Sequence, residues 1–306
     1  MILTVTLNPA VDHTLELDEA LVPASVARTD AATFDPGGKG INVSKYLVGL
    51  GTETLATGLV GGFLGRFLTA ELADRGIPDD FVEIGDGTRL NTTILTPEAE
   101  YKINHGGPTV GDDAIETIVE TIRRYDPKTV VVAGSLPPGL DAGAIDEVAA
   151  AGPWGTVVDV EGRLLSELDA EYALCKPNRA ELAAATGEAT TTVEDCVSAA
   201  RNLRERGFDR VVASLGADGA ILVTEERSLH VPALDVDVAD TVGTGDALLA
   251  GVLSERHRGG SDEDALCAGV AVATRVVAVP GTGVPSFDGV LSDLDDRPVT
   301  VYRPTG

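Results

Sequence analysis

The sequence predicts an α/β protein in which helices flank a doubly wound, mostly parallel sheet. Short runs of β-branched residues alternate with helical stretches nearly to the C-terminus, and this alternation is typical of βαβ units. The segment 129–133 is apolar almost throughout, as expected of a parallel strand buried on both faces. Strands are predicted at 2–7, 54–60, 129–133, 156–160, 172–175, 210–215 and 219–224. Helices are predicted at 39–51, 63–76, 111–125, 178–187, 192–207, 244–257 and 262–279.

Two pairs of short strands interrupt this alternation, because no helix separates their members. We predict that segments from about 12–34 and 89–104 form a small β-sheet lid over the mouth of the large sheet. No linker or internal repeat divides the chain, so residues 1–306 are predicted to form one domain. The lid strands are predicted at 12–18, 28–34, 89–95 and 100–104.

Composition excludes several protein classes. Apolar residues make up 43% of the chain, which is sufficient for a core, and no apolar run of 18 residues could span a membrane. Residues 1–7 lack a basic segment and a cleavage site, so we expect a first strand there and no signal peptide. The three cysteines are far apart and the four histidines lack metal-binding spacing. The predicted compartment is therefore a reducing cytoplasm.

The formal net charge of −26 is the most unusual bulk property. Nucleic acids and anionic membranes require basic patches, so neither is an expected partner. The acidic residues are spread along the chain, and such a surface stays soluble through self-repulsion under strong salt screening. We therefore expect a halophilic protein from a salt-rich cytoplasm, with an ordinary acidic enzyme as the alternative.

The positions of the five lysines are informative because the chain otherwise avoids this residue. Lys39, Lys102 and Lys176 lie in segments that also carry Gly or Asn, whereas Lys45 and Lys128 are predicted to have no particular role. A lysine supplies a compact point charge that suits a phosphate. Chance placement is the alternative explanation.

The strongest local motif is the segment 240–247 (DTVGTGDA), which leads directly into an apolar helix. Gly243 and Gly245 allow backbone N–H groups to approach a ligand, and the N-terminus of the helix favours a transferring phosphoryl group. Asp246 follows in the first turn, where it could accept the proton of an attacking hydroxyl. A capped junction between loop and helix is the structural alternative. The motif is neither a Walker A loop nor a Rossmann fingerprint.

A second glycine cluster, 36–43 (PGGKGINV), also precedes a helix. Gly38 permits close backbone approach, Lys39 supplies a cation and Asn42 supplies an amide. This combination suits a sugar that carries both hydroxyls and a phosphate, and a tight turn before a helix is the alternative.

Other segments are weaker candidates. Asn178 and Glu181 have the spacing of a capping box, but they could instead organise metal-bound phosphate oxygens. Residues 214–219 join two strands as a hairpin turn or contact a nucleotide. Cations in the predicted lid strands could gather around an anionic substrate; these are Arg28, Arg89 and Lys102.

Together these segments resemble the ribokinase-like, or PfkB-type, family of sugar kinases over essentially the whole chain. The two glycine signatures occur in order, with 176–178 (KPN) and 214–216 (SLG) between them, and Thr244 stands where alanine is usual. Within the family, 6–12 (TLNPAVD) and 134–139 (GSLPPG) are similar to the hexose-phosphate kinases, and Lys39 is more similar to 1-phosphofructokinases or tagatose-6-phosphate kinases than to 6-phosphofructokinases. The overall resemblance is greatest to 1-phosphofructokinases.

The resemblance implies a ribokinase-like fold and specific roles for these residues. Asp246 would be the general base, with Gly243 and Gly245 in the anion hole. Substrate would be bound by Asp12, Arg28, Gly38, Lys39, Asn42, Arg89, Lys102 and Ser135. ATP would be bound by Lys176, Asn178, Ser214, Gly216, Gly219, Thr241, Gly243 and Gly245. Mg²⁺ would be placed indirectly by Glu181 with Asn178, and the lid would form a homodimer.

The expected reaction is transfer of phosphate from ATP to fructose 1-phosphate, which gives fructose 1,6-bisphosphate. Tagatose-6-phosphate kinase and 6-phosphofructokinase are the alternatives within the same class. A catalytically silent sugar-phosphate sensor is the alternative from another class, although retention of Gly243, Gly245 and Asp246 disfavours it.

Overall fold

The computed structural model describes residues 1–111, 113–279, 283–290 and 298–302. Within these residues the strands are β1 (Ile2–Thr6), β2 (Ala10–Glu16), β3 (Ala31–Gly37), β4 (Thr54–Val60), β5 (Val82–Glu83), β6 (Arg89–Leu95), β7 (Glu100–Asn104), β8 (Thr129–Ala133), β9 (Gly155–Asp159), β10 (Leu174–Cys175), β11 (Val211–Ser214), β12 (Ala220–Val223), β13 (Ser228–Val231) and β14 (Thr300–Tyr302). The helices are α1 (Lys39–Gly49), α2 (Gly62–Asp74), α3 (Asp113–Tyr125), α4 (Ala142–Ala150), α5 (Gly162–Leu165), α6 (Arg179–Thr186), α7 (Val193–Arg204), α8 (Thr244–His257) and α9 (Asp262–Val277).

The large sheet has the strand order β14-β13-β12-β11-β10-β9-β8-β1-β4-β5. In this sheet, β5, β4, β1, β8, β9, β10 and β11 each pair in parallel with the next strand in that order. Strands β12, β13 and β14 extend one edge in antiparallel fashion. This arrangement confirms the predicted mostly parallel α/β sheet. The carboxyl ends of β1, β8, β9, β10 and β11 lie at one edge, where open α/β sheets bind their ligands.

The central strands are apolar because hydrophobic cores cover both of their faces. On β1, Leu3 and Val5 join the core formed with α3, α4 and α7, whereas Ile2 joins the core formed with α1, α8 and α9. Successive side chains of a strand point to opposite faces, so a doubly covered strand has no polar face. Among the described helices, none combines the length and apolarity needed to cross a bilayer.

The small sheet has the order β3-β2-β6-β7, and it confirms the predicted separate sheet. The two antiparallel pairs are joined by parallel pairing of β2 with β6. Strands β2 and β3 lie at 10–16 and 31–37, so the predicted 12–18 and 28–34 were wrong in their bounds. Residues 17–30 connect the two strands and carry no ladder pairing.

Other element predictions agree closely with the structure. The strand at 129–133 and the helix at 244–257 have the predicted bounds, whereas α4 had not been predicted. Residue 112 of the predicted helix 111–125 lies outside the described residues. The single domain predicted over 1–306 stays a prediction.

Candidate active site

The loop that precedes α8 presents its backbone to a cleft at the edge of the large sheet. Gly243 has φ +74°, in the left-handed region that favours glycine, and a Cβ there would stand 2.5 Å from Tyr46 Oη. A Cβ on Gly245 would stand 3.2 Å from Lys176 Nζ. No side chain of the described residues caps the first turn of α8. The Thr244 N–H donates to the carbonyl of Thr241 at 3.3 Å, so the N–H groups of Gly245 and Asp246 are the ones that an anion could engage.

Asp246 is the third residue of α8 and is buried, with 6% of its surface exposed. Its Oδ2 accepts a hydrogen bond of 2.9 Å from Asn42 Nδ2, which belongs to α1. Burial, reinforced by the nearby charge of Asp159, raises the pKa of Asp246 to about 6, although the hydrogen bond from Asn42 and two lysines oppose the shift. The carboxylate is therefore ionised at neutral pH and basic enough to accept a proton.

Asp159, the last residue of β9, anchors two lysines close to this base. Its side chain has no exposed surface, and its Oδ1 and Oδ2 lie 2.7 Å from Lys39 Nζ and 3.1 Å from Lys176 Nζ, respectively. Burial lowers the pKa of Lys39, but Asp159 and Glu181 outweigh this effect, so the pKa is raised and the ammonium stays charged. Asp159 was not among the residues predicted from the sequence. An acidic residue at the carboxyl end of a predicted buried strand was the signal that could have found it.

A cleft of about 1230 Å³ adjoins these groups. All of the residues predicted to bind ATP line it, together with Lys39 and Asp246: they are Lys176, Asn178, Ser214, Gly216, Gly219, Thr241, Gly243 and Gly245. The lining also includes large apolar side chains, which are those of Leu234, Val236, Val238, Val270 and Val277. A cleft that combines an anion-binding helix end with apolar side chains suits a nucleotide.

Asp12 lies on β2 in the small sheet, opposite Asn91 of β6. Asn91 Nδ2 donates a hydrogen bond of 2.9 Å to Asp12 Oδ1 and thereby orients the carboxylate. A Cβ at Gly37 would collide with this carboxylate, so the glycine leaves the room that Asp12 occupies. Gly38, with φ +129°, then turns the chain into α1, which carries Asn42.

Arg89 and Ser135 meet where the small sheet joins the large one. Arg89 donates to Ser135 Oγ at 3.2 Å, to the carbonyl of Asn8 at 3.0 Å and to the carbonyl of His105 at 3.2 Å. Burial lowers the pKa of Arg89 and Asp12 opposes this change, but a guanidinium remains protonated in proteins. Arg89 and Ser135, which were both predicted to bind substrate, are therefore held together by a hydrogen bond.

The other predicted phosphate-binding cations occupy different places. Lys39 lines the nucleotide cleft and does not belong to the hydrogen-bonded group around Arg89. Lys102 is exposed on β7 and pairs with Glu100 at 3.0 Å. Arg28 is exposed in the connection between β2 and β3. The structure thus brings Arg89 together with Ser135, but not with Lys102 or Arg28.

Asn178 and Glu181 form the capping box that was the structural alternative for them. Asn178 Oδ1 accepts from the Glu181 N–H at 2.9 Å, and Glu181 Oε2 accepts from the Asn178 N–H at 2.8 Å. Asn178 also lines the cleft, and Glu181 Oε1 lies 3.5 Å from Lys39 Nζ. The cap therefore holds both side chains at the phosphate end of the cleft. Residues 214–219 likewise serve both as a hairpin turn and as cleft lining.

Lys45 was predicted to have no particular role, and this prediction was wrong. Its side chain is buried and donates to the carbonyl of Pro36 at 2.6 Å and to Asn42 Oδ1 at 3.2 Å. Lys45 is therefore connected to Asp246 through the side chain of Asn42 by two successive hydrogen bonds.

Comparisons with known proteins show the family to which the chain belongs. Residues 5–288 match the model of the pfkB family carbohydrate kinases. The chain is 52% identical to the 1-phosphofructokinase of Haloferax volcanii over 99% of both chains. It is 34% identical to the D-tagatose-1-phosphate kinase of Bacillus licheniformis over 96% of this chain and 98% of that one. The tetrameric inhibited form of phosphofructokinase-2 from Escherichia coli superposes with a TM-score of 0.87 at 28% identity, covering 96% of this chain and 98% of that chain. The chain belongs to the pfkB family of carbohydrate kinases.

Proposed function

We propose that this kinase transfers the γ-phosphoryl group of ATP to the 6-hydroxyl of fructose 1-phosphate, which gives fructose 1,6-bisphosphate and ADP. The full-length similarity to a 1-phosphofructokinase, at 52% identity, supports the choice of substrate. The observation that carries the mechanism is the position of Asp246, whose carboxylate lines the nucleotide cleft and is held by Asn42.

Asp246 acts as the general base in this proposal. Its carboxylate accepts the proton of the attacking hydroxyl while the new O–P bond forms and the bond to the β,γ-bridging oxygen breaks, so ADP leaves. The backbone N–H groups of 243–246, with Lys39 and Lys176, offset the charge that develops on the phosphoryl oxygens. Asp12 and Asn42 hold sugar hydroxyls, and Arg89 with Ser135 holds the phosphate already present.

The residues fit a Mg²⁺ ion that is bound mainly by nucleotide phosphates and water. Among the described residues, no group of three or more His, Cys, Asp and Glu side chains could hold a metal by itself. Mg²⁺ commonly retains several waters and uses few protein ligands. Glu181, with 17% of its side chain exposed, would act through water together with Asn178. When bound, the ion would neutralise charge on the β- and γ-phosphate oxygens.

Release of ADP should be measured in a coupled assay with fructose 1-phosphate, fructose 6-phosphate, tagatose 1-phosphate, tagatose 6-phosphate, fructose and ribose. We expect the highest kcat/KM with fructose 1-phosphate. Tagatose 1-phosphate is included because a relative of 34% identity carries that activity in its name. A higher kcat/KM with another phosphorylated ketose would make that ketose the substrate in place of fructose 1-phosphate. Preference for an unphosphorylated sugar would overturn the substrate class, and no turnover with any of them would favour the sensor.

We also propose that the small sheet forms a homodimer. Pairing across the sheet aligns Phe34, His13, Thr92 and Ile103 in one row, and Phe34 and Ile103 are 46% and 62% exposed. Tyr101 lies two residues from Ile103 on the same face and is 43% exposed. Large exposed apolar side chains on one face support a protein contact. Sedimentation should give a dimer or a multiple of it, and Ile103→Glu should give a monomer.

The charge distribution supports a protein adapted to a salt-rich cytoplasm. The net charge is −26, and ion pairs such as Arg163 with Glu167 are largely exposed and hence sensitive to screening. We propose that the kinase remains active at molar salt, which assays over a series of KCl concentrations would test.

A further inference from the structure

Lys45 is a buried cation whose hydrogen bonds lead to the proposed base. It follows Asn42 by three residues on α1, so the two side chains lie on the same face of the helix. Only 3% of Lys45 is exposed, yet its ammonium has no carboxylate at ion-pair distance among the described residues, and its polar contacts are the carbonyl of Pro36 and Asn42 Oδ1. Burial of an ammonium group costs free energy unless its hydrogen bonds are made, so these two acceptors stabilise the buried Lys45 side chain.

The Asn42 amide has different partners at its two ends. Oδ1 accepts from Lys45 at 3.2 Å, and Nδ2 donates to Asp246 Oδ2 at 2.9 Å. If the amide were reversed, two donors would face each other at Lys45 and two acceptors would face each other at Asp246. Lys45 and ionised Asp246 therefore favour the same orientation. Without Lys45, protonated Asp246 could donate to a reversed amide, which would stabilise the inactive protonated form.

We propose that Lys45 is a positioning residue for the base: by holding Asn42 Oδ1 it keeps the amide N–H directed at Asp246, and it thereby keeps that carboxylate ionised and in place. Its bond to Pro36 connects the same amide to the end of β3, where the small sheet joins α1. This inference rests on the proposed role of Asp246 and goes beyond it, because Lys45 does not line the nucleotide cleft.

The surroundings of Lys45 permit this role at neutral pH. Burial and the nearby charge of Arg75 lower the pKa of Lys45 to about 8, against the opposing effect of Asp35, Asp12 and Asp246. The ammonium is thus mostly charged at pH 7. An amine that has lost its proton can still donate hydrogen bonds, so the test requires substitution of the side chain and not titration alone.

The proposal is tested by Lys45→Met, which keeps an unbranched apolar chain of similar length but has no donor or charge. We expect the acidic limb of the plot of kcat/KM against pH to move to higher pH by about 0.5 pH unit or more. At pH 8, where Asp246 is ionised in either protein, kcat should fall about tenfold with KM for ATP unchanged. Lys128→Met changes the net charge equally at an exposed position and should leave the profile unaltered.

Asn42→Ala and the double variant show whether Lys45 acts through the amide. If it does, Lys45→Met shifts the limb in the wild-type background but causes no further shift in Asn42→Ala. If Lys45→Met does not fold, Lys45→Leu, which also has no donor or charge, takes its place with the same expected results. A folded Lys45→Met variant with lower thermal stability but an unchanged acidic limb of kcat/KM against pH would overturn the proposal. Full additivity of the shifts caused by Lys45→Met and Asn42→Ala in the double variant would also overturn it. Failure of the base assignment is recognised separately, because Asp246→Asn would then retain activity.

Discussion

Replacement of Asp246 by Asn removes the proposed base while preserving the surrounding contacts. The new side chain has almost the same shape, and its Oδ1 can still accept the hydrogen bond that Asn42 Nδ2 donates at 2.9 Å. A positioned general base contributes a factor of about 10²–10⁴. We therefore expect kcat to fall by that factor, which corresponds to about 3–5 kcal/mol in activation free energy, while the KM values for both substrates change little.

The pH dependence provides a second signature of the same residue. Burial, with Asp159, raises the pKa of Asp246 to about 6, and the base must be ionised to work. Wild-type kcat/KM should therefore rise with pH through about 6 and level off above it. The residual activity of Asp246→Asn should lack this limb, because the amide does not titrate.

As the pH rises through the titration of Asp246, its contribution to stability should fall while kcat/KM increases. The folded protein binds the Asp246 proton more tightly than the unfolded chain does, where the pKa is about 3.9. The contribution of Asp246 to the free energy of unfolding therefore falls as the pH rises from about 4 to about 6, and it stays lower above that range. Asp246→Asn should thus be more stable than wild type at pH 8 and about equally stable near pH 4.

Steady-state ADP release from pH 5 to 9 and denaturant unfolding at pH 4 and pH 8 measure these effects. Asp264→Asn is a matched control, since Asp264 is the third residue of α9 but does not line the cleft. Its hydrogen bonds from Ser261 lower its pKa, so this variant should lose stability at pH 8 while kcat is unchanged. A folded Asp246→Asn enzyme with more than about a tenth of wild-type kcat would refute the assignment of the base.

Three further predictions concern substrate binding and salt. Arg89→Gln should raise KM for the sugar phosphate about 10–100-fold and leave KM for ATP within about twofold, because a charged hydrogen bond to phosphate is lost; equal effects on both substrates would contradict the role of Arg89. Gly37→Ala should displace the Asp12 carboxylate and raise KM for the sugar phosphate about tenfold or more, which substrate titration would measure, and an unchanged KM would exclude Asp12 from the sugar site. Activity assayed from about 0.15 M to about 2 M KCl should persist at the upper end, and its loss there would count against a halophilic protein.

Local sequence determined the class of the fold and the phosphate-binding end of the site. β-Branched segments and the helices between them predict a parallel sheet because each element's propensity and apolar pattern are contained in adjacent residues. The motif with Gly243 and Gly245 is also local, since a turn with positive φ and the helix N-terminus that follows are encoded within a few positions. The order of residues alone therefore identifies Asp246 as a candidate base.

Only the tertiary structure decided which groups surround that base. Asp159, Lys45 and Asn42 come from β9 and α1, and their contacts join residues as far apart in sequence as 42 and 246. Burial and pairing, which raise the pKa of Asp246 and keep Lys39 charged, depend on how helices pack across the sheet. Contacts between residues so far apart in sequence leave no local pattern in the chain, and for this reason the sequence did not show that Lys45 contacts Asn42 or that Lys39 pairs with Asp159.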